Sequence, residues 1–160
     1  MLRRLAVAVA LALTVGATTA ATAQEPPKTT RSAWFKYAPW NSDLEEVKKT
    51  GTGLEYVVIA SGPATGKSPT ISQSAQMFYE GRLNSGGRAF DSSFQRGAPD
   101  TYGLAELVPG FREALSLMKP GDRWLVYIPA ALGYADRGYP GLIGPGENLV
   151  FEIWLQAVVG

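Results

Sequence analysis

Four stretches of the chain show the apolar pattern of β-strands. They are "LEYVVIA" (54–60), "AQMFYEGRL" (75–83), "RWLVYIP" (123–129) and "LVFEIWLQAVV" (149–159). The second alternates apolar and polar positions, as a strand with one buried face does. The last two are rich in β-branched and aromatic residues, which pack well on a pleated surface. The chain is therefore predicted to be built mainly on a β-sheet.

One segment has helical periodicity instead. In "PGFREALSLMKPG" the apolar residues Phe111, Ala114, Leu115 and Met118 recur at i, i+3, i+4 and i+7, which places them on one face of a helix. The Pro-Gly pair that follows ends the helix. Several strands around one short amphipathic helix predict an α+β domain with an antiparallel sheet.

The first 23 residues have the pattern of a cleavable signal peptide. Arg3 and Arg4 supply a positive start, residues 5–15 form an apolar run too short to span a membrane, and "ATA" provides a small-x-small cleavage site. The sequence predicts a mature protein that begins at Gln24 and is periplasmic or secreted. After cleavage no stable membrane insertion is expected.

Residues 24–52 form a linker followed by a short helical and aromatic segment. The linker is polar and contains prolines, and "SAWFKYAPW" then concentrates four aromatic residues. Ser42 and Glu45 have the spacing of a capping box, which predicts a short helix over "DLEEVKK" that ends near Gly51. We expect the aromatic residues to pack on the flank of the main domain, and a surface for clients or for self-association is the alternative.

The composition removes most catalytic machinery from consideration. The chain of 160 residues has no cysteine and no histidine, which excludes disulfides, thiol nucleophiles, Cys or His metal sites and a histidine base. No metal and no cofactor are expected. The formal net charge of +1 provides no field that would recruit nucleic acid, so nucleic acid is not an expected partner.

The stretch "GGRAFDSSFQRG" (86–97) allows two interpretations of its acidic residue. In the first, Asp91 is a turn or capping residue bonded to the amides of the following serines. In the second, Phe90 is the wall of a pocket and Asp91 forms a partly buried ion pair with Arg96. The twelve residues by themselves favour the first interpretation.

Longer motifs in the C-terminal half change that balance. "FDSS", "VPGFREALSLMKPGDRW" and "IPAALGYADRGYPGLIGPGENLVFEIWL" follow one another in an order and at a spacing that resemble the FKBP-type peptidyl-prolyl cis-trans isomerases. The resemblance runs from about Gly53 to Val158, and exported single-domain bacterial members look most similar. It implies an isomerase domain over residues 53–160, with about five antiparallel strands wrapped around one short helix.

The resemblance also implies a set of site residues. Those expected to be catalytic are Tyr79, Phe90, Asp91, Tyr134 and Phe151. Those expected to bind substrate are Arg96, Leu107, Val108, Phe111, Tyr139, Leu142 and Ile143. Phe111 takes the floor of the pocket and Tyr134 the position of a hydrogen-bond donor to substrate, while residues 139–143 fall in a hairpin over the pocket. On sequence pattern alone, Tyr79, Phe111 and Phe151 are more typical of core aromatics than of site residues.

The implied function is isomerisation of X-Pro peptide bonds in exported proteins during their folding. This reaction breaks no bond, so it needs neither histidine nor cysteine. Expected partners are proline-containing unfolded or folding polypeptides and macrolides such as tacrolimus or rapamycin, and the expected state is a monomer. The alternative is a non-catalytic chaperone or binding module with the same fold. Asp100, Ala135 and Gly144 depart from the usual family residues at their positions.

Overall fold

The computed structural model describes residues 31–160, with side chains from Trp34 onward. The predicted signal peptide and most of the predicted linker lie outside these residues. Within the described part, seven strands form one sheet in the order β1-β2-β6-β7-β3-β4, with β5 also paired to β3. The strands are β1 (Lys48–Lys49), β2 (Glu55–Ala60), β3 (Ser74–Leu83), β4 (Ala89–Ser92), β5 (Asp100–Gly103), β6 (Arg123–Ile128) and β7 (Leu149–Val159).

All of these pairings are antiparallel, so the predicted α+β fold with an antiparallel sheet is confirmed. The four strands predicted from the sequence correspond to β2, β3, β6 and β7. The total exceeds the expected five because short segments pair at the sheet edges: β1 extends β2, while β4 and β5 pair with different halves of β3.

The helix α3 (Pro109–Leu117) packs against one face of the sheet. Its predicted apolar residues Phe111, Ala114, Leu115 and Met118 are all buried and join one core with Met77. Proline at the first helical position suits the helix start, where no intrahelical N–H bond is lost. The core under α3 therefore follows the periodicity of the sequence.

The helix α1 (Arg31–Tyr37) contributes to a smaller core on the other face of the sheet. Trp34 and Tyr37 are buried there against Val57, Leu125 and Val150. Further along, the Trp40 ring stacks on Tyr127 at 5.7 Å, and its Nε1 donates to Glu55 Oε2 at 2.7 Å. The aromatic segment thus packs on the flank of the domain, as expected.

The prediction of a short helix over "DLEEVKK" is wrong. Residues 42–46 form turns, in which the Val47 amide donates to the Leu44 carbonyl, and Lys48 and Lys49 pair with Tyr56 and Glu55 as β1. A helix of this length is marginal without packing, and a strand partner lies only a few residues ahead in the chain. Pairing at the edge of the sheet therefore determines the structure of this segment, and the capping box of the sequence does not form a helix. Among the described residues, no helix is long and apolar enough to cross a membrane.

The short helix α2 (Ser93–Arg96) connects β4 to β5. The Ser92 hydroxyl caps it by accepting a hydrogen bond from the Gln95 amide at 3.2 Å. Gly97 ends it in the left-handed conformation, with φ of 76°, which glycine adopts at little cost. The capping role considered for Asp91 therefore belongs to Ser92, and Asp91 remains at the end of β4.

Candidate active site

An open pocket of about 440 Å³ lies where the start of α3 meets β3, β4 and β7. Eight of the residues expected from the sequence line it: Tyr79, Phe90, Asp91, Leu107, Val108, Phe111, Tyr134 and Phe151. Tyr102 and Glu106, which the sequence did not single out, complete the lining. A volume of this size is typical of a small-ligand site.

The base of the pocket is a set of aromatic rings in edge-to-face contact. Phe111 is 5% exposed, and its ring meets Phe151 at 4.9 Å and Tyr79 at 6.0 Å, with interplanar angles of 90° and 87°. Phe90 meets Phe151 at 5.5 Å and 88°. Edge-to-face pairs are favourable arrangements for aromatic rings, so the apolar walls hold one another in place.

A glycine in β3 makes room for two of these rings. A Cβ atom at Gly81 would lie 2.5 Å from Phe151 Cε1 and 2.5 Å from Phe90 Cζ, closer than any real carbon contact. Only glycine therefore lets both rings pack across the strand at this point. The sequence signal was the isolated glycine of "FYEG" within a strand pattern, which commonly marks a close approach.

The polar side of the pocket is organised around Asp91. Its Oδ2 accepts a hydrogen bond from the Tyr79 hydroxyl at 2.5 Å, and its Oδ1 accepts one from Arg96 Nη1 at 2.5 Å. Arg96 Nη2 in turn donates to the Tyr79 hydroxyl at 3.1 Å. The three side chains thus form a closed ring of hydrogen bonds at the edge of the aromatic base.

The protonation states in this ring follow from the contacts. Burial raises the pKa of the Asp91 carboxyl, but hydrogen bonds from Tyr79 and Arg96 outweigh burial and lower that pKa below its ordinary 3.8. Burial, and then the hydrogen bond to Asp91, raise the pKa of the Tyr79 hydroxyl above its ordinary value. At neutral pH the pocket therefore presents an ionised carboxylate and a protonated phenol.

Asp100 is a second carboxylate that interacts with Arg96. It forms an ion pair with Arg96 Nη2 and accepts a longer hydrogen bond, 3.4 Å, from the Tyr102 hydroxyl. The Tyr102 ring meets the Tyr79 ring edge-on at 6.3 Å. The acidic residue that departs from the family pattern is thus neutralised by Arg96.

Tyr134 lines the pocket just before a strained position. Burial raises the pKa of its hydroxyl, which stays protonated at neutral pH. The next residue, Ala135, has a φ of 46°, a left-handed conformation that favours glycine, so an alanine here leaves strain in the backbone.

The hairpin loop 139–145 is placed beside the pocket rather than in its lining. Tyr139 contacts the Tyr134 ring at 5.8 Å, and its amide and that of Ile143 exchange hydrogen bonds with the opposite carbonyls, at 2.8 and 2.9 Å. Ile143 is buried in the core and Leu142 is 40% exposed. Tyr139, Leu142 and Ile143 are therefore not among the residues that line the pocket, although Tyr139 contacts the lining residue Tyr134.

No metal site accompanies the pocket in the part of the chain that the structure describes. Among residues 31–160, no group of three acidic, histidine or cysteine side chains is arranged to hold a metal ion. What the described pocket offers a ligand is apolar aromatic surface, one oriented carboxylate and phenolic hydroxyls.

Comparison with known proteins assigns this arrangement to a family. Residues 66–156 match the model of the FKBP-type peptidyl-prolyl cis-trans isomerases. The solved peptidyl-prolyl cis-trans isomerase of Pseudomonas syringae pv. tomato superposes with a TM-score of 0.69 at 30% identity, over 81% of this chain and 92% of that one. The chain belongs to the FKBP-type peptidyl-prolyl cis-trans isomerase family.

Two relatives show how far the similarity extends. Over 118 residues the chain is 43% identical to the peptidyl-prolyl cis-trans isomerase Mip of Coxiella burnetii, which covers 74% of this chain and 50% of the relative. Over 107 residues it is 41% identical to the outer membrane protein MIP of Legionella longbeachae, which covers 67% of this chain and 45% of the relative. The chain thus spans about half the length of these relatives.

Proposed function

We propose that this protein is a peptidyl-prolyl cis-trans isomerase that binds a proline ring in the aromatic pocket. The observation that carries the proposal is the edge-to-face base of Phe111 and Phe151 with the ionised Asp91 fixed at its edge. An apolar base of this kind suits a proline ring, which carries no N–H donor.

Isomerisation of an X-Pro peptide bond requires few groups other than an apolar pocket. The peptide bond before proline isomerises over a barrier of roughly 18–20 kcal/mol, through a twisted amide that has lost its resonance. The twisted amide has less charge separation than the planar one. An apolar environment therefore destabilises the planar ground state relative to the transition state. No bond breaks and no proton transfer to solvent is required.

The energies involved are small enough for binding contacts to supply. A reduction of about 1.4 kcal/mol in the barrier gives a tenfold rate, so several thousandfold needs only about 5 kcal/mol. The aromatic walls of Tyr79, Phe90 and Phe151 would hold the ring over Phe111. The Tyr134 hydroxyl would donate to a substrate carbonyl, and the backbone of Leu107 and Val108 would contact the chain beside the proline.

Asp91 and Arg96 act together in this scheme. Asp91 would place its negative charge near the substrate amide, where it affects the polar planar form and the twisted form differently. Arg96 and Tyr79 would keep that charge oriented. Tyr139, Leu142 and Ile143 would contact the polypeptide beyond the proline, outside the pocket itself.

A peptide assay tests the proposal. We expect the purified protein to accelerate cis-to-trans conversion of a short X-Pro peptide and rapamycin to inhibit it. Phe111→Leu should lower kcat/KM, while Phe35→Leu, a change of the same type at a residue 79% exposed on α1, should not. Peptide binding and suppression of aggregation without turnover would instead identify a non-catalytic binding module.

The cellular setting is a further part of the proposal. Export to the periplasm or beyond is supported by the signal-peptide pattern of residues 1–23 and by the outer-membrane name of the Legionella relative. The clients would then be exported polypeptides that contain proline. N-terminal sequencing of protein from the cell envelope should begin at Gln24, and a mature chain that retains residues 5–15 would contradict export with cleavage.

We also propose residues 53–160 as the isomerase domain and a monomer as its working unit. The proposal of a monomer is supported by a pocket whose lining residues all lie within one chain. Light scattering coupled to gel filtration tests the monomer. Activity that disappears on dilution would contradict it.

A further inference from the structure

A second groove of about 390 Å³ lies beside the pocket, and we call it the arginine groove. Arg88, Arg137, Pro140, Leu142, Ile143 and Pro145 are among the residues that line it. Its position follows from three contacts. Arg137 ends the turn of 3-10 helix that follows Tyr134, Tyr134 lines the pocket, and the Tyr139 ring of the hairpin loop meets the Tyr134 ring at 5.8 Å. A polypeptide with its proline in the pocket can therefore extend into the arginine groove.

The two guanidinium groups of the groove have no acidic partner among residues 31–160. Arg88 Nη2 donates to the carbonyl of Leu142 at 2.5 Å, which leaves its other donors available, and Arg137 makes no side-chain hydrogen bond with another described residue. Both side chains are exposed. Glu147, two residues after the hairpin loop, does not face the groove arginines as a partner, because its carboxylate accepts hydrogen bonds from the amide and hydroxyl of Ser85 at 3.0 and 2.9 Å.

The acidic groups of the pocket belong to other elements. Asp91 lies in β4 and is held by Arg96, while Glu106 lies in the turn before α3 and accepts from the Gly103 amide at 3.3 Å. A carboxylate on a bound polypeptide would be repelled near Glu106 and attracted near Arg88 and Arg137, whose two positive charges exceed the one negative charge of the neighbouring exposed residue Asp136. The charges around the site are therefore unequal along the path of a substrate.

We propose that the arginine groove binds the carboxylate of an acidic residue close to the proline of a client polypeptide. The proposal rests on the proposed function, since it assumes that the proline occupies the pocket. An arginine fork matches the two oxygens of a carboxylate. Two residues of extended chain cover about 7 Å, so an acidic residue two positions from the proline can lie outside the pocket.

Four blocked peptides test the proposal. Two carry glutamate two positions before or two positions after the proline, and two carry glutamine at the same places. For each pair, the ratio of kcat/KM and the ratio of calorimetric affinities are measured. We expect one of the two positions to favour glutamate by about three- to fivefold at low salt, as exposed ion pairs do. That preference should fall toward one at about 0.5 M salt.

Variants then assign the preference to the groove. Arg137→Gln, which breaks no hydrogen bond between described residues, should reduce the glutamate-to-glutamine ratio to near one. Lys67→Gln is the control and removes one positive charge from an exposed residue of the loop 61–73. This loop packs against Lys119 and Pro120, beyond the C-terminal end of α3, whereas the pocket lies at the start of that helix. Lys67→Gln should leave the ratio unchanged.

The outcomes separate this proposal from the general one. If no peptide is isomerised but the affinity ratio and its loss in Arg137→Gln are found, the groove binds carboxylates and the proposed isomerase function fails. If peptides are isomerised with ratios of one at both positions, the groove proposal is overturned and the isomerase stands. An equal reduction by Lys67→Gln would also overturn it, because the preference would then come from net charge alone.

Discussion

The Tyr79 hydroxyl and the Asp91 carboxylate are joined by a hydrogen bond of 2.5 Å, and Arg96 donates to both groups. The two strands that carry Tyr79 and Asp91 are neighbours, with Gly81 opposite Asp91 in the β3–β4 register. Arg96 returns to them because α2 makes a single capped turn after β4. The carboxylate is thus oriented by two separate elements of the fold.

Loss of this carboxylate should affect turnover more than folding. Asp91→Ala is expected to reduce kcat/KM by about tenfold or more. The free energy of unfolding should fall by only about 1 kcal/mol or less, because the side chains of Arg96 and Asp91 are 46% and 40% exposed and exposed ion pairs contribute little to stability. Peptide assays and urea titrations of the same preparations measure both. Arg96→Ala and the double variant separate the two side chains. A folded Asp91→Ala protein with full activity would make Asp91 a purely structural residue.

The activity should be nearly independent of pH around neutrality. The pKa of Asp91 is lowered below 3.8, so its carboxylate is ionised throughout the neutral range and loses its charge only in more acidic solution. The pKa values of Tyr79 and Tyr134 are raised, so both hydroxyls remain donors up to at least about pH 10. A peptide without titratable groups, assayed from pH 5 to about 9, should give a plateau. An inflection between about pH 6 and 8 would reveal a titrating group outside this set.

Two pocket aromatics should differ in their effect on stability. Phe111→Ala removes a buried ring beneath α3 and is expected to cost about 3–5 kcal/mol of unfolding free energy as well as ligand binding. Phe90 is only half buried, so Phe90→Ala should weaken turnover and binding at a much smaller cost in stability. Urea titration and rapamycin binding check the pair. Equal destabilisation by the two changes would mean that Phe90 also belongs to the core.

Gly81→Ala should damage the pocket through packing alone. The new methyl group would meet Phe90 and Phe151 at 2.5 Å, and one or both rings must move away from their positions in the wall. We expect at least a tenfold loss of kcat/KM and a stability loss of roughly 1–3 kcal/mol, as for overpacked cores. Gly86→Ala is the matched control, because a Cβ there has no atom within 4 Å. Wild-type activity in Gly81→Ala would show that the wall does not need its present geometry.

Asp122 should contribute stability that is lost in acid. The carboxylate is buried and accepts hydrogen bonds from the Gly62 amide at 2.7 Å and from the amide and Nζ of Lys119 at 2.9 and 2.5 Å. Burial raises the pKa of Asp122, and these hydrogen bonds outweigh it and lower that pKa below 3.8. Because the folded-state pKa is the lower one, the contribution is complete above the ordinary carboxyl range and disappears as the pH falls through the folded value.

The corresponding variant is Asp122→Asn, which keeps the shape and removes the charge. We expect it to be less stable than the wild type by roughly 2–3 kcal/mol at pH 7, in line with hydrogen bonds to charged groups. The difference should shrink below about pH 4, where the carboxyl begins to be protonated. Urea titrations at pH 7 and about pH 3 measure the two values. A difference that does not depend on pH would contradict the role of the ionised carboxylate.

The sequence alone determined the central part of the fold. The alternation in β3, the β-branched and aromatic runs of β6 and β7, and the helical spacing from Phe111 to Met118 each describe one buried face, and burial of that face is what the structure shows. Motif resemblance likewise selected eight residues of the pocket lining. These features could be predicted because each depends on a local pattern or on a motif that persists in the chain.

The tertiary structure decided what depends on distant neighbours. The capping signal at Ser42 did not produce a helix, because the segment that follows it pairs with Tyr56 as β1. Trp34 is buried because it packs on the second face of the sheet. The close approach at Gly81, the sharing of Arg96 by two carboxylates and the position of the arginine groove all join segments from different elements. Such contacts depend on which elements pack together in three dimensions, and the pattern of apolar and polar residues along the chain does not specify which surfaces will meet.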